Sequence, residues 1–185
     1  MNTPIPSVFT DCYFDLPGVN HVGLDDEAGG RIAGDYLADM GHRSVGFIAS
    51  ALPDSQVDQH RLVGYRQSLA AHGMTMRDEW VLPCGDMESQ RIPLTALLRA
   101  EDGPTAFFCS ADQIGVSLIR LVLSLGLRVP EDISVIGFDD LPVAQFYTPG
   151  LTTIAQNVGQ KAALAVDTLI RHIENRDLPP ERAVL

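Results

Sequence analysis

Short apolar runs alternate with stretches of helical spacing along most of the chain. Residues 6–10 and 21–24 read as two short strands separated by a Pro-Gly loop at Pro17-Gly18. Asp25 or Asp26 then caps a helix over 27–40. Its small residues Ala28, Gly29, Gly30, Ala33 and Gly34 permit close packing, and Gly41 stops it. A short apolar strand covers 44–49. Residues 57–72 have helical spacing, with Leu62, Tyr65 and Leu69 near one face, and end at Gly73. A strand at 79–83 precedes a helix over 89–100, whose first turn or kink lies at Pro93. A buried strand at 105–109 leads to Asp112, which caps a helix running to Leu125 and closed by Gly126. Another buried strand spans 133–138, and 151–154 is a short extended piece. Residues 157–174 form a last amphipathic helix. Pro179-Pro180 turns the chain before the start of a strand at 183–185.

From 44 to 138 the order is strand, helix, strand, helix, strand, helix, strand. Continuous apolar runs between amphipathic helices predict an α/β fold with a doubly wound parallel sheet, covered on both faces. Neither an internal repeat nor a low-complexity segment interrupts it.

Composition narrows the function. The chain has 185 residues, 45% of them hydrophobic, so a sizeable core can form. A formal net charge of -11 argues against this polypeptide gripping a phosphate backbone by itself. Cys12, Cys84 and Cys109 are odd in number and widely spaced, which predicts neither a zinc site nor a disulfide framework and suits a reducing cytoplasm. The first ten residues carry no basic and apolar leader pattern, and no run is long enough to span a membrane.

In such a sheet, ligands bind beyond the carboxyl ends of the strands. Those ends lead into the polar stretch 50–60 before Arg61, into Gly85, Asp86 and Met87, into Ser110, Ala111 and Asp112, into Asp139 and Asp140, and, after the first strand, into Asp11. An arginine fork and carboxylates suit the vicinal hydroxyls of a sugar. Each residue has a plainer use: Asp112 as a helix cap, Asp140 as a turn residue, Arg61 as a solvated charge, Met87 as core filling. The five histidines are scattered without ligand spacing. Asp25-Asp26-Glu27 suits a helix first turn better than a metal. There is no GxSxG elbow, Walker A loop or GxGxxG, so neither an enzyme, a cofactor nor a metal is expected.

Five strings, in order, resemble the LacI/GalR family of transcription regulators. They are YLADMGHRSVGFIA (36–49), RLVGYRQSLAAHG (61–73), GPTAFFCSAD (103–112), GLRVPEDISVIGFDD (126–140) and PGLTTIAQ (149–156). The resemblance implies a periplasmic-binding-protein-like type I fold, two α/β lobes closing on an effector. On that map 1–22 is the remnant of the first lobe and 23–150 the second lobe. Residues 151–174 are a crossover and a first-lobe helix, and 175–185 start a return strand to the second lobe. The DNA-reading headpiece is expected to lie outside this chain.

The family's binding positions fall on Arg61, which contacts effector hydroxyls or a carboxylate, on Asp139, which accepts hydrogen bonds, and on Asp11, which lines the cleft. Ser110 and Asp112 join them on the rim. Met87 stands where relatives often have an aromatic ring, and Ala111 where many have Asn, which points to an altered ligand. The resemblance thus implies the effector-sensing core of a cytoplasmic, homodimeric repressor. The effector would be a small molecule, a sugar by family habit and otherwise a purine or another metabolite. Its DNA contact is made only through a headpiece, and there is no membrane partner. Two other classes compete. A periplasmic sugar-binding protein of a transporter shares the fold, and a sugar-processing enzyme would need a nucleophile or metal cluster that the rim does not offer.

Overall fold

A computed structural model describes residues 5–13, 18–50, 54–83, 87 and 89–185. In chain order the strands and helices are β1 (Val8–Thr10), β2 (Asn20–Gly23), α1 (Asp26–Asp39), β3 (Val45–Ala49), α2 (Gln56–Ala71), β4 (Val81–Pro83), α3 (Arg91–Leu98), β5 (Ala106–Cys109), α4 (Asp112–Ser124), β6 (Ser134–Asp139), α5 (Pro142–Phe146), β7 (Thr152–Ala155), α6 (Val158–Glu174) and β8 (Arg182–Val184). The chain divides into two compact units. One comprises Met1–Asp25 with Gln156–Leu185, the other Asp26–Ala155.

The second unit holds a five-stranded, all-parallel sheet in the order β4-β3-β5-β6-β7. Successive side chains of a strand point to opposite faces, so a strand buried on both sides reads as an unbroken apolar run. On one face Phe108 stacks edge-on against Phe47 and Tyr65, with centroids 5.3 and 5.2 Å apart. On the other, Ile48, Phe107 and Cys109 join Leu94, Leu98, Leu118 and Val122 of α3 and α4 in one core cluster.

The glycine stops close their helices as expected, while α3 is shorter than expected, 91–98 rather than 89–100. At Gly126 the backbone has φ 78°, and Leu127 N donates to Val122 O at 3.2 Å, closing α4 in a left-handed turn that a Cβ would resist. The small residues of α1 have the expected use. A Cβ on Gly30 would lie 2.0 Å from the Arg61 carbonyl oxygen, and one on Gly64 would lie 1.9 Å from that of Glu27. Backbone-to-backbone approach of α1 and α2 therefore requires glycine on both helices.

The first unit is a parallel sheet in the order β1-β2-β8, with α6 packed on β1 and β2. Here the structure corrects an expectation. Residues 182–184 do not return to the second lobe: His21, Val22 and Gly23 of β2 pair with Arg182, Ala183 and Val184. Pairing is a long-range choice that β-propensity at the chain end cannot specify. The piece expected at 151–154 is β7 at 152–155, and it pairs with β6 in the second unit's sheet.

Two smaller differences have local causes. The strand expected at 79–83 begins only at Val81, because Asp78–Trp80 forms a 3-10 turn that buries Trp80 beneath Arg77, 4.7 Å from its ring centroid. The short α5 was not expected, although Pro142 in its first turn is a helix-start signal. The Pro17 side of the expected loop, Cys84, Gly85 and Asp86 lie outside the described residues.

Candidate functional site

The chain leaves β3 for β4 on one side, then crosses to β5 on the other, so the topological switch point lies between β3 and β5. Open α/β sheets bind ligands beyond the carboxyl ends of the strands at that point. The residues following these two strands are Ser50 and Ser110, and they are bonded: Ser50 N donates to Ser110 Oγ at 2.9 Å. Ser50 Oγ in turn donates to Asp58 Oδ2 at 2.6 Å. The Asp58 backbone N–H donates to Ser55 Oγ at 3.1 Å, the N-cap of α2.

Arg61 follows one turn into α2 and is buried rather than solvated. Its Nε donates to Asp26 Oδ1 at 2.7 Å, and the two side chains are only 7% and 5% exposed. Its Nη1 donates to the Ser110 carbonyl at 2.5 Å. Its guanidinium carbon lies 3.5 Å from the centroid of the Phe138 ring, so a planar cation stacks on an aromatic face. Gly29 makes room for that ring, since a Cβ there would come within 2.5 Å of it. An arginine held on three sides is fixed in one geometry.

The next strand end is backbone-strained. Asp139 and Asp140 have φ 114° and 54°, values that side-chain-bearing residues seldom adopt. The loop is pinned from below: Leu141 N donates to Asp112 Oδ2 at 2.6 Å, Thr153 Oγ1 donates to Asp112 Oδ1 at 2.5 Å, and Asp140 N donates to Thr153 Oγ1 at 3.3 Å. Asp112 is therefore not the cap of α4. That position is Ala111, which has no side-chain bond, and Asp112 is the first helical residue, fully buried with both oxygens engaged. Burial raises its carboxyl pKa, against the pull of the Thr153 and Leu141 bonds.

Arg61, Ser110 and Phe138-Asp139 thus come together at the carboxyl edge, with Asp112 beneath the Asp139-Asp140 turn. Met87 packs on the core cluster that includes Leu94 and Phe107. Asp11 belongs to the other unit. It too has a positive φ, 55°, at the end of β1, and its Oδ1 accepts a 2.5 Å bond from Lys161 Nζ.

The sequence did not single out Asp58, Thr153 or Lys161. Asp26 was legible as a cap or an acidic first-turn residue, and it is the first residue of α1, but its pairing with Arg61 was not legible; nothing near Lys161 marks it as buried. Among the described residues no group of three His, Cys, Asp or Glu side chains could hold a metal ion, and no helix is long and apolar enough to cross a membrane.

Residues 35–185 match the model of a periplasmic binding protein-like domain. The chain is 34% identical over 172 residues to the ribose operon repressor of Haemophilus influenzae, covering 92% of this chain and 52% of that protein. It is 33% identical over 177 residues to the HTH-type transcriptional repressor PurR of Aliivibrio salmonicida, covering 95% and 53%. Among solved structures, the complex of the transcriptional regulator CelR with cellobiose is 31% identical with a TM-score of 0.84, over 96% of this chain and 55% of that one. The chain spans about half the length of the curated relatives it matches.

Proposed function

Since the chain belongs to the family of periplasmic binding protein-like domains, in its LacI-type branch, we propose that it is the effector-sensing part of a transcriptional repressor. The observation that carries this is the alignment with two repressors over more than nine-tenths of the chain. Those relatives are repressors rather than enzymes or transport proteins, which favours a regulator over a solute-binding protein. The effector is a small polyhydroxylated molecule, a sugar in this reading, and a regulator solved with cellobiose supports that class.

The proposed contacts in the second unit are Arg61, Ser110 and Asp139. Arg61 offers donors from its outer edge, Asp139 accepts from hydroxyls, and Asp112 and Met87 hold the floor. Asp11 is the proposed acceptor in the first unit. An effector that binds one arrangement of the protein more tightly than another shifts the DNA-binding equilibrium by that difference in affinity. DNA contact is assigned to a helix-turn-helix headpiece of the longer polypeptide, because a net charge of -11 suits no phosphate backbone. A cytoplasmic homodimer completes the reading. Ile92 and Phe146 of the second unit are 83% and 84% exposed, as apolar residues at an interface would be in an isolated copy.

A thermal-shift screen against ribose, cellobiose and hypoxanthine tests this, because a ligand that binds the folded state raises Tm by mass action. A rise with either sugar supports the reading, and a rise with hypoxanthine alone replaces the sugar by a purine. No shift with any of them at millimolar concentration removes the effector role assigned to these residues.

A further inference from the structure

Lys161 stands in the first turn of α6, where the helix dipole disfavours a cation, and its side chain is only 8% exposed. Lysine is almost never buried without a partner. Here the ammonium is held by two acceptors, Asp11 Oδ1 at 2.5 Å and Gln156 Oε1 at 2.9 Å. Asp11 is unlike its partner. Its side chain is 55% exposed, and its backbone is in the left-handed region at the carboxyl end of β1. One end of the ion pair is sunk in the first unit and the other faces solvent at the strand end, where ligands of such sheets lie.

We infer that Lys161 is a positioning and specificity-determining residue that acts through Asp11, making the first unit selective for neutral hydroxyls over cationic groups. The inference rests on the proposed role of Asp11 in effector binding. A lone carboxylate at a strand end attracts ammonium ligands as readily as hydroxyls. Once Lys161 has cancelled its charge and fixed one oxygen, the carboxylate still accepts hydrogen bonds from hydroxyls in a set direction. A second cation would then meet Lys161 at close range and be repelled. A neutral polyol is the ligand class that this pair selects.

The test is titration calorimetry of the 185-residue chain with ribose, cellobiose, glucose and glucosamine, using Lys161→Met, Lys161→Arg, Asp11→Asn and the Lys161→Met/Asp11→Asn double variant. We expect Lys161→Met to weaken the neutral sugars tenfold or more and to raise the affinity of glucosamine relative to glucose. Lys161→Arg should restore most of the wild-type preference. The double variant should be no weaker than the worse single one, because the two residues act as a unit. A purely structural lysine would lower Tm in Lys161→Met and leave the glucosamine-to-glucose ratio unchanged, and that result overturns the inference. Weakening by Asp11→Asn without any effect of Lys161→Met overturns it too, while sparing the role of Asp11. Unchanged affinity in Asp11→Asn, or no binding of any of the four sugars to the wild-type chain, removes the reading on which it stands.

Discussion

The guanidinium carbon of Arg61 lies 3.5 Å from the centroid of the Phe138 ring, and the residue after that phenylalanine is Asp139. The cation and the carboxylate proposed to hold the effector are therefore fixed through one aromatic plane. Arg61→Ala and Asp139→Ala are each expected to weaken effector binding about 10- to 150-fold, the loss of a hydrogen bond to a charged group worth about 1.5–3 kcal/mol. Calorimetry with the ligand found by thermal shift reads this out. Unchanged affinity in both variants would remove the second-unit site.

Asp26 and Arg61 form a buried pair, and burying two charges gains little over apolar groups of the same size, whereas orphaning one is costly. Asp26→Ala should destabilise the protein by about 3–5 kcal/mol, while Asp26→Leu with Arg61→Met should recover much of that loss. Urea unfolding of Asp26→Leu, Arg61→Met and the double gives the coupling. Additive losses would show that the two residues are stabilised independently.

Gly64→Ala sets two effects against each other. Alanine in a helix interior is favoured over glycine by about 1 kcal/mol. At Gly64, however, the new Cβ would stand 1.9 Å from the Glu27 carbonyl, and backbone must move. Overpacking of this kind costs about 1–3 kcal/mol or more, so a net loss is expected. Gly159→Ala is the control, since its Cβ would meet nothing closer than 3.9 Å and should stabilise α6. Midpoints of urea unfolding for the two variants should move in opposite directions.

His42 bridges the amino ends of two strands, with Nδ1 2.8 Å from Thr105 Oγ1 and Nε2 3.0 Å from Ser134 Oγ. Burial lowers its pKa below the usual histidine value of 6.5. The unfolded chain then takes up the proton first as pH falls. The contribution of His42 to stability is complete above about pH 6.5 and is lost as pH drops through the lower folded value. His42→Gln should flatten the stability profile between pH 7 and 5. A profile as steep as that of the wild type would place the acid sensitivity elsewhere.

The proposed homodimer predicts that Phe146→Asp lowers the dimer fraction without loss of helix content. Phe146 is 84% exposed, so the substitution removes no core contact. Sedimentation velocity and far-ultraviolet circular dichroism measure the two quantities. A monomeric wild-type chain would overturn the proposed homodimer.

The sequence by itself determined whatever depends on neighbours along the chain. Strand and helix order, the glycine stops at Gly41, Gly73 and Gly126, the double-sided burial of β3 and β5, and the strings shared with LacI-type regulators all come from local periodicity and turn chemistry. Arg61, Ser110 and Asp139 were legible as residues following strands, because a parallel sheet gathers its carboxyl ends on one edge. What those residues do there was decided by partners far away in sequence. Arg61 meets Asp26 across 35 positions and Ser110 across 49, and Lys161 meets Asp11 across 150. No periodicity encodes such pairs, since a charge in a helix pattern looks solvated until another element buries it. The same holds for β8, whose three residues could extend any parallel edge and were committed to β2 only by the packing of the first unit. Asp112 shows the contrast most directly. Its spacing suggested a cap, but the tertiary fold places a strained turn above it and uses both oxygens to hold that turn.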